Sequence, residues 1–140
     1  MKMVPNLRFA GQGEAAVKLY QKVFGCKVNY LSHYEDANPE DNAISHLTPE
    51  QLKTCVYHCE LEMAGNRVML CDDLYNPPER GEMVSFNVCF EDAKSARAAY
   101  DAMVEAGAKV LVPAHEATFA AFVSSVVDPF GIRWGLMVER

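Results

Sequence analysis

The sequence is short of several things, and each shortage removes a class of function. No apolar run approaches the ~20 residues that a membrane helix needs, and Met1 to Phe9 lack the layout of a signal peptide. A cytoplasmic protein with no membrane partner is therefore expected. Basic residues are outnumbered, 13 Lys and Arg against 19 Asp and Glu, giving a formal net charge of −6. They are scattered and form no basic stripe, so nucleic acid is not an expected partner. Cysteines are few and odd in number: Cys26, Cys55, Cys59, Cys71 and Cys89. Reduced thiols packing as small hydrophobes are expected rather than a disulfide framework. Catalytic signatures are missing too. There is no P-loop and no G-x-S-x-G elbow, and Gly11-Gln12-Gly13 is too short for a dinucleotide fingerprint.

What is present is a repeat. A strand-like run ends at Phe9, a helix-like run carries Tyr20 and stops at Gly25, and Cys26-Lys27-Val28 opens another strand. After the midpoint a strand-like run ends at Phe90, a helix-like run carries Tyr100 and stops at Gly107, and Ala108-Lys109-Val110 follows. Phe to Tyr spans 11 positions in the first copy and 10 in the second. A repeat of this size implies two similar modules in one small domain. The boundaries read as module 1 over residues 1–75, a linker over 76–81 and module 2 over 82–140. At 140 residues, with 50% hydrophobic and 23% charged residues, a single soluble domain is the natural expectation.

Periodicity fills in each copy. Val4 to Phe9 alternates with period two, as a half-buried strand does. From Glu14 to Phe24, Ala16, Leu19, Tyr20, Val23 and Phe24 form one apolar helix face that Gly25 can end. Strands are expected over Lys27–Glu35, Val56–Met63 and Arg67–Asp72, the last two joined by Ala64-Gly65-Asn66. The polar stretch Asp36 to Thr54 reads as a loop, either a lid or a plain solvated insertion. Within it, Thr48-Pro49-Glu50-Gln51 matches a capping box with proline at the first helical position. In module 2 a strand is expected over Met83–Phe90, then a helix capped by Asp92. Strands follow over Lys109–Pro113, Phe119–Val127 and Ile132–Glu139, with Asp128-Pro129-Phe130-Gly131 as the last turn. Each half reads β-α-β-β-β.

Two units in this order resemble the vicinal-oxygen-chelate superfamily of glyoxalase I, bleomycin-resistance proteins and extradiol dioxygenases, and more closely its PhnB-like branch. The resemblance is carried by Val4-Pro5-x-Leu7-x-Phe9, Glu14-Ala15 with Tyr20 and Phe24-Gly25, His58-x-Glu60-Leu61-Glu62 and Asp72-Asp73. In the second half it rests on Asn87-Val88, Thr118-Phe119 and Asp128-Pro129-Phe130-Gly131 followed by Trp134. The fold this implies is α+β: two βαβββ modules forming a curved mixed sheet with a central cup. The branch's Trp-Gly and Phe-Gly pairs are replaced here by Ala120-Ala121-Phe122-Val123-Ser124-Ser125, so a pocket wall differs from that of relatives. A methyltransferase label once attached to the branch finds no glycine-rich nucleotide loop here.

The resemblance also places the superfamily's metal ligands, on the first and fourth strands of each module. Here those positions fall near Val4 or, at a stretch, Asn6, near the end of the strand closing with Cys71-Asp72, at Ser85 and at Gly135. Val, Ser and Gly cannot supply the imidazole, carboxylate or thiolate donors of a catalytic metal. No metal and no other cofactor is therefore expected. The residues expected on the cup faces are Asn6, Arg8, His58, Glu60, Ser85 and Asn87, with Arg133 and Met137 from the last strand. Asn6, Arg8, Ser85, Asn87 and Arg133 are the candidate ligand-binding set. The arginines suit an anionic small molecule such as a carboxylate or phosphonate, because their fork binds oxyanions bidentately.

His58 and Glu60 are the candidate catalytic pair, with His58 as general base. The alternative is a satisfied histidine tied to Glu60 or Glu62 on the same strand face. Cys55, His58 and Cys59 suggest zinc by proximity, but His58 and Cys59 point to opposite strand faces. Arg8 is open to an ion pair with a lid carboxylate, and Trp134 is expected to pack in the core against a helix. Three functions stay open: a metal-independent small-molecule-binding protein, an enzyme with a rewired metal set of His58, Glu60 and Asp72, and a drug-sequestering module. A homodimer is the assembly that the resemblance implies.

Overall fold

Residues 1–38, 40 and 46–140 are described by the structure, a computed structural model. The chain divides into two units, Met1–Glu79 and Arg80–Arg140, and each holds one four-stranded sheet.

In the first unit, β1 (Asn6–Phe9) buries Leu7 and Phe9 and exposes Asn6 and Arg8. Helix α1 (Gly13–Phe24) buries Ala16, Val17, Tyr20 and Val23 on one stripe. Gly25 ends it at φ 64, a left-handed C-cap that glycine takes without a Cβ penalty. β2 (Lys27–His33) follows and gives way to a 3₁₀ turn at Tyr34–Asp36, so the strand stops two residues short of the expected Glu35. Helix α2 (Pro49–Thr54) is built on the anticipated box: Gln51 N–H donates to Thr48 Oγ1 at 3.2 Å, and Thr48 N–H donates to Gln51 Oε1 at 2.9 Å. Part of the candidate lid, residues 39 and 41–45, lies outside the described residues. β3 (Val56–Met63) and β4 (Asn66–Asp72) are joined across Ala64 and Gly65, both at positive φ (51 and 74). Two successive positive φ values make the turn whose twist matches a tight hairpin.

The strand order is β1-β4-β3-β2, with β1 parallel to β4 and the other pairs antiparallel. β1 starts at Asn6 rather than Val4. Pro5 has no N–H to give the ladder, although its carbonyl accepts from Met69 N–H at 2.8 Å.

The second unit repeats this order as β5-β8-β7-β6, and the repeat in the sequence is thus a repeat of topology. Its elements are β5 (Phe86–Cys89), α3 (Ala93–Glu105), β6 (Lys109–Ala117), β7 (Ala120–Val127) and β8 (Arg133–Glu139). Asp92 caps α3 by accepting from Ser95 N–H at 2.7 Å, and Ala96, Ala99 and Met103 are buried. β7 alternates without a break, with Ala120, Phe122, Ser124 and Val126 buried and the residues between them half-exposed.

In this unit two boundaries differ from expectation by more than one residue. β5 opens at Phe86, not Met83, because its partner β8 begins at Arg133 and pairs Phe86 with Trp134. Met83, Val84 and Ser85 precede that partner and lie exposed outside the strand. β6 runs past Pro113 to Ala117, so His115 and Glu116 sit in the strand that forms the first arm of the β6–β7 hairpin. Proline is tolerated because β6 is an edge strand with register shifts around it. His115 is exposed there, its Nδ1 2.8 Å from Pro113 O.

Candidate functional site

Strand register decides which side chains share a face. In the first unit, Asn6 lies beside Met69, Met69 beside Glu60, and Arg8 beside Cys71. Asn6, Arg8, His58, Glu60, Met69 and Cys71 therefore share the side of the sheet away from α1. Leu7, Phe9, Cys59, Leu61, Leu70 and Asp72 alternate onto the other side and are buried. The rewired metal set of His58, Glu60 and Asp72 does not converge, since Asp72 sits on the opposite face from the other two. Cys55 and Cys59 are buried likewise, away from His58. Among the described residues no three His, Cys, Asp or Glu side chains are grouped to hold a metal ion.

Asp72 is already committed. Its Oδ1 accepts from Gly11 N–H at 2.8 Å and Gly13 N–H at 2.9 Å, and its Oδ2 accepts from Val56 N–H at 2.8 Å. It is 0% exposed. This carboxylate stands at the start of α1, where orphan N–H groups favour a negative charge. Tyr34 Oη donates to the Asp72 carbonyl. Burial, reinforced by Cys71, Asp73, Asp72 and Cys55, pushes the Tyr34 hydroxyl up to about 12.

The pair His58–Glu60 takes the satisfied arrangement. His58 Nε2 lies 2.5 Å from Glu60 Oε2, while Arg67 donates its Nε to Oε1 at 2.5 Å and its Nη2 to Oε2 at 3.2 Å. Arg67, with His58 assisting, holds the Glu60 carboxyl below its ordinary 4.5. A carboxylate gripped by a guanidinium fork and an imidazole is a poor proton acceptor. Sequence reasoning overlooked Arg67. The signal was available: Arg67 stands opposite Glu62 across the β3–β4 hairpin, which places it diagonally within reach of Glu60.

Arg8 is committed as well, to Asp73 in the segment after β4 at 2.6 Å rather than to a lid carboxylate. Both line a cleft of about 260 Å³ with Tyr34, Cys71, Tyr75 and Asn76. Burial raises the Cys71 thiol above its ordinary 9.0 although Arg8 pulls the other way, so this thiol is not activated.

The second unit offers a different face. Asn87 pairs with Gly135 and Gly135 with Ser125, which makes a polar row across β5, β8 and β7. Arg133 donates its Nε to Ser125 Oγ at 3.2 Å. Ser85, Asn87, Phe119, Val123, Ser125, Arg133, Gly135 and Met137 line a groove of about 270 Å³. On the opposite side of β8, Trp134 is buried, with its ring 5.6 Å from Phe86 and its Nε1–H donating to Asp128 Oδ2 at 2.9 Å. The same Asp128 accepts from Phe130 and Ile132 N–H through Oδ1 and fixes the turn that launches β8.

Gly135 explains the floor of this groove. A Cβ there would fall less than 3.0 Å from Asn87 Oδ1, a separation real Cβ atoms essentially never show, and 3.2 Å from its Cγ. The Asn87 carboxamide thus occupies the space a side chain at 135 would need. A metal of the kind the superfamily resemblance implies does not fit these residues: the space beside position 135 is filled by a neutral amide, and Asp72 is turned inward with its oxygens spent.

Three comparisons with known proteins bear on this arrangement. Residues 5–136 match the family model described as the Glyoxalase/Bleomycin resistance protein/Dioxygenase superfamily. Protein YjdN of Escherichia coli (strain K12) is 22% identical over 145 residues, covering 100% of this chain and 97% of that protein. Among solved structures, protein PA1353 from Pseudomonas aeruginosa superposes with a TM-score of 0.83 at 22% identity, over 99% of this chain and 98% of that one. The PhnB protein from Bacillus cereus superposes with a TM-score of 0.78 at 19% identity, over 99% of both chains. These likenesses show the same two-sheet α+β fold.

Proposed function

We infer the function from one premise: the chain belongs to the Glyoxalase/Bleomycin resistance protein/Dioxygenase superfamily. Within it, this protein binds a small anionic molecule on the β5–β8–β7 face of the second unit, without the metal that the resemblance would place there. Arg133 is the anchor, and Asn87, Ser125 and Ser85 are the hydrogen-bonding partners. One observation carries the reading. Of the arginines lining grooves, Arg8 is paired with Asp73 and Arg67 with Glu60, whereas among the described residues no carboxylate pairs with Arg133. A guanidinium that donates to a serine hydroxyl in a groove shared with a carboxamide is suited to a carboxylate or phosphonate.

Acid–base chemistry by His58 and Glu60 is the weaker alternative, because Glu60 is saturated by Arg67. Sequestration of a large drug is weaker too, since about 270 Å³ is at the small end of ligand sites. A homodimer in the cytoplasm is part of the same proposal. It draws on the resemblance, and for the membrane on the fact that no helix among the described residues is long and apolar enough to cross one.

The test is calorimetric titration of wild type and Arg133→Gln with butyrate and propylphosphonate. Binding that disappears in Arg133→Gln is expected. Equal binding by both proteins would refute the assignment, as would binding that appears only when a divalent metal is added.

A further inference from the structure

The polar and apolar residues of the second-unit groove are sorted, not mixed. Asn87, Gly135 and Ser125 form one row, and Arg133 leans into it through Ser125. Two residues further along β8, Met137 lies beside Val123, and Phe119, 65% exposed, lines the same groove from the β6–β7 turn. Two residues of strand correspond to about 7 Å. The cation and the amide thus stand at one end and an aliphatic and aromatic wall at the other, about one short carbon chain apart.

We propose that the ligand is an amphipathic anion. Its carboxylate or phosphonate head is held by Arg133 with Asn87 and Ser125, and its apolar body lies along β8 over Met137 and Val123 toward Phe119. This rests on the reading of the face as an anion site and adds the class and the orientation of what occupies it. Three features support it together. Phe119 is a large aromatic side chain left open to water at the end of a groove, where a covering apolar group would gain from its burial. Met137 is unbranched and adapts to differing apolar shapes. Gly135 keeps the polar row low, since a side chain there would displace the Asn87 amide.

The experiment is titration of the full chain with butyrate, hexanoate and octanoate, the matching alkyl phosphonates and the matching alcohols. For wild type, affinity is expected to rise with chain length by about fourfold per buried CH₂. Phe119→Ala and Met137→Ser should flatten that rise while still binding butyrate, and Arg133→Gln should lose all the anions. A flat length series that still depends on Arg133 would overturn the amphipathic ligand and leave the anion site standing. Alcohols binding as tightly as the acids, or anions binding Arg133→Gln unchanged, would overturn the anion site and this proposal with it. No binding by any member of the series refutes both.

Discussion

Replacing Gly135 with alanine tests the packing of the groove in a way that needs no ligand. The backbone at 135 lies outside the left-handed region, so alanine can adopt it, and open strand positions usually favour alanine over glycine by about 0.5–1 kcal/mol. Here the new Cβ would meet the Asn87 amide at under 3.0 Å, and the amide must swing aside. An off-rotamer side chain costs about 0.5–1.5 kcal/mol, enough to cancel or exceed the gain. Gly135→Ala in wild type should therefore be neutral to destabilising by about 1 kcal/mol. In an Asn87→Ala background the obstacle is absent, and the same change should stabilise by about 0.5–1 kcal/mol. The observable is the urea midpoint in a double-mutant cycle, with a coupling of about 0.5–1.5 kcal/mol expected, the cost of displacing the amide. Additive effects, with Gly135→Ala giving the same sign in both backgrounds, would refute the contact and with it the account of why the groove floor is glycine.

Other perturbations probe the first unit. Asp72→Ala strands three backbone N–H groups, those of Gly11, Gly13 and Val56, and should cost about 3–5 kcal/mol by chemical denaturation; a loss below about 1 kcal/mol would contradict its bridging role. Tyr34→Phe removes one buried hydrogen bond, worth about 1 kcal/mol. Its hydroxyl is raised from 10.0 to about 12, so its contribution is present in full below pH 10 and lost as the pH climbs from 10 to 12. The stability gap between wild type and Tyr34→Phe should narrow across that window, and a constant gap would count against the buried, neutral phenol. Glu60 has the opposite sign. Held below its ordinary 4.5 by Arg67 and His58, it contributes above that value and loses its contribution as the pH falls beneath it. Wild type and Glu60→Gln should differ by less than about 1 kcal/mol at pH 6 and converge by acid titration. Failure to converge would argue against the ion pair.

Much of this fold was legible because strand and helix periods are local properties. The period of two in Val56–Met63 gave β3 its limits, and the Thr48–Gln51 box gave α2 its start. Parity within β8 separated Arg133 and Met137 from buried Trp134, Leu136 and Val138. What stayed hidden depended on partners distant in sequence. β5 could not be seen to begin at Phe86, because its limit is set by where β8 begins after the Asp128 turn. Asp72 is the instructive case. It shares parity with Val68 and Leu70, yet its carboxylate suggested a metal set with His58 and Glu60, and a carboxylate in an apolar row makes sense only once the N–H groups of Gly11, Gly13 and Val56 are seen around it. The Arg8–Asp73 pair likewise depends on the chain returning along β1, 65 residues later. The Arg67–Glu60 fork, by contrast, lies within one hairpin and was within reach of cross-strand arithmetic.

The proposed function depends on Arg133, rather than a metal, holding the ligand. Titration of chelator-treated protein with octanoate, run side by side on wild type and Arg133→Gln, tests it most directly. Saturable binding to wild type in the presence of chelator, and none to Arg133→Gln, is expected. Binding that requires an added divalent cation, and that Arg133→Gln retains, would contradict it.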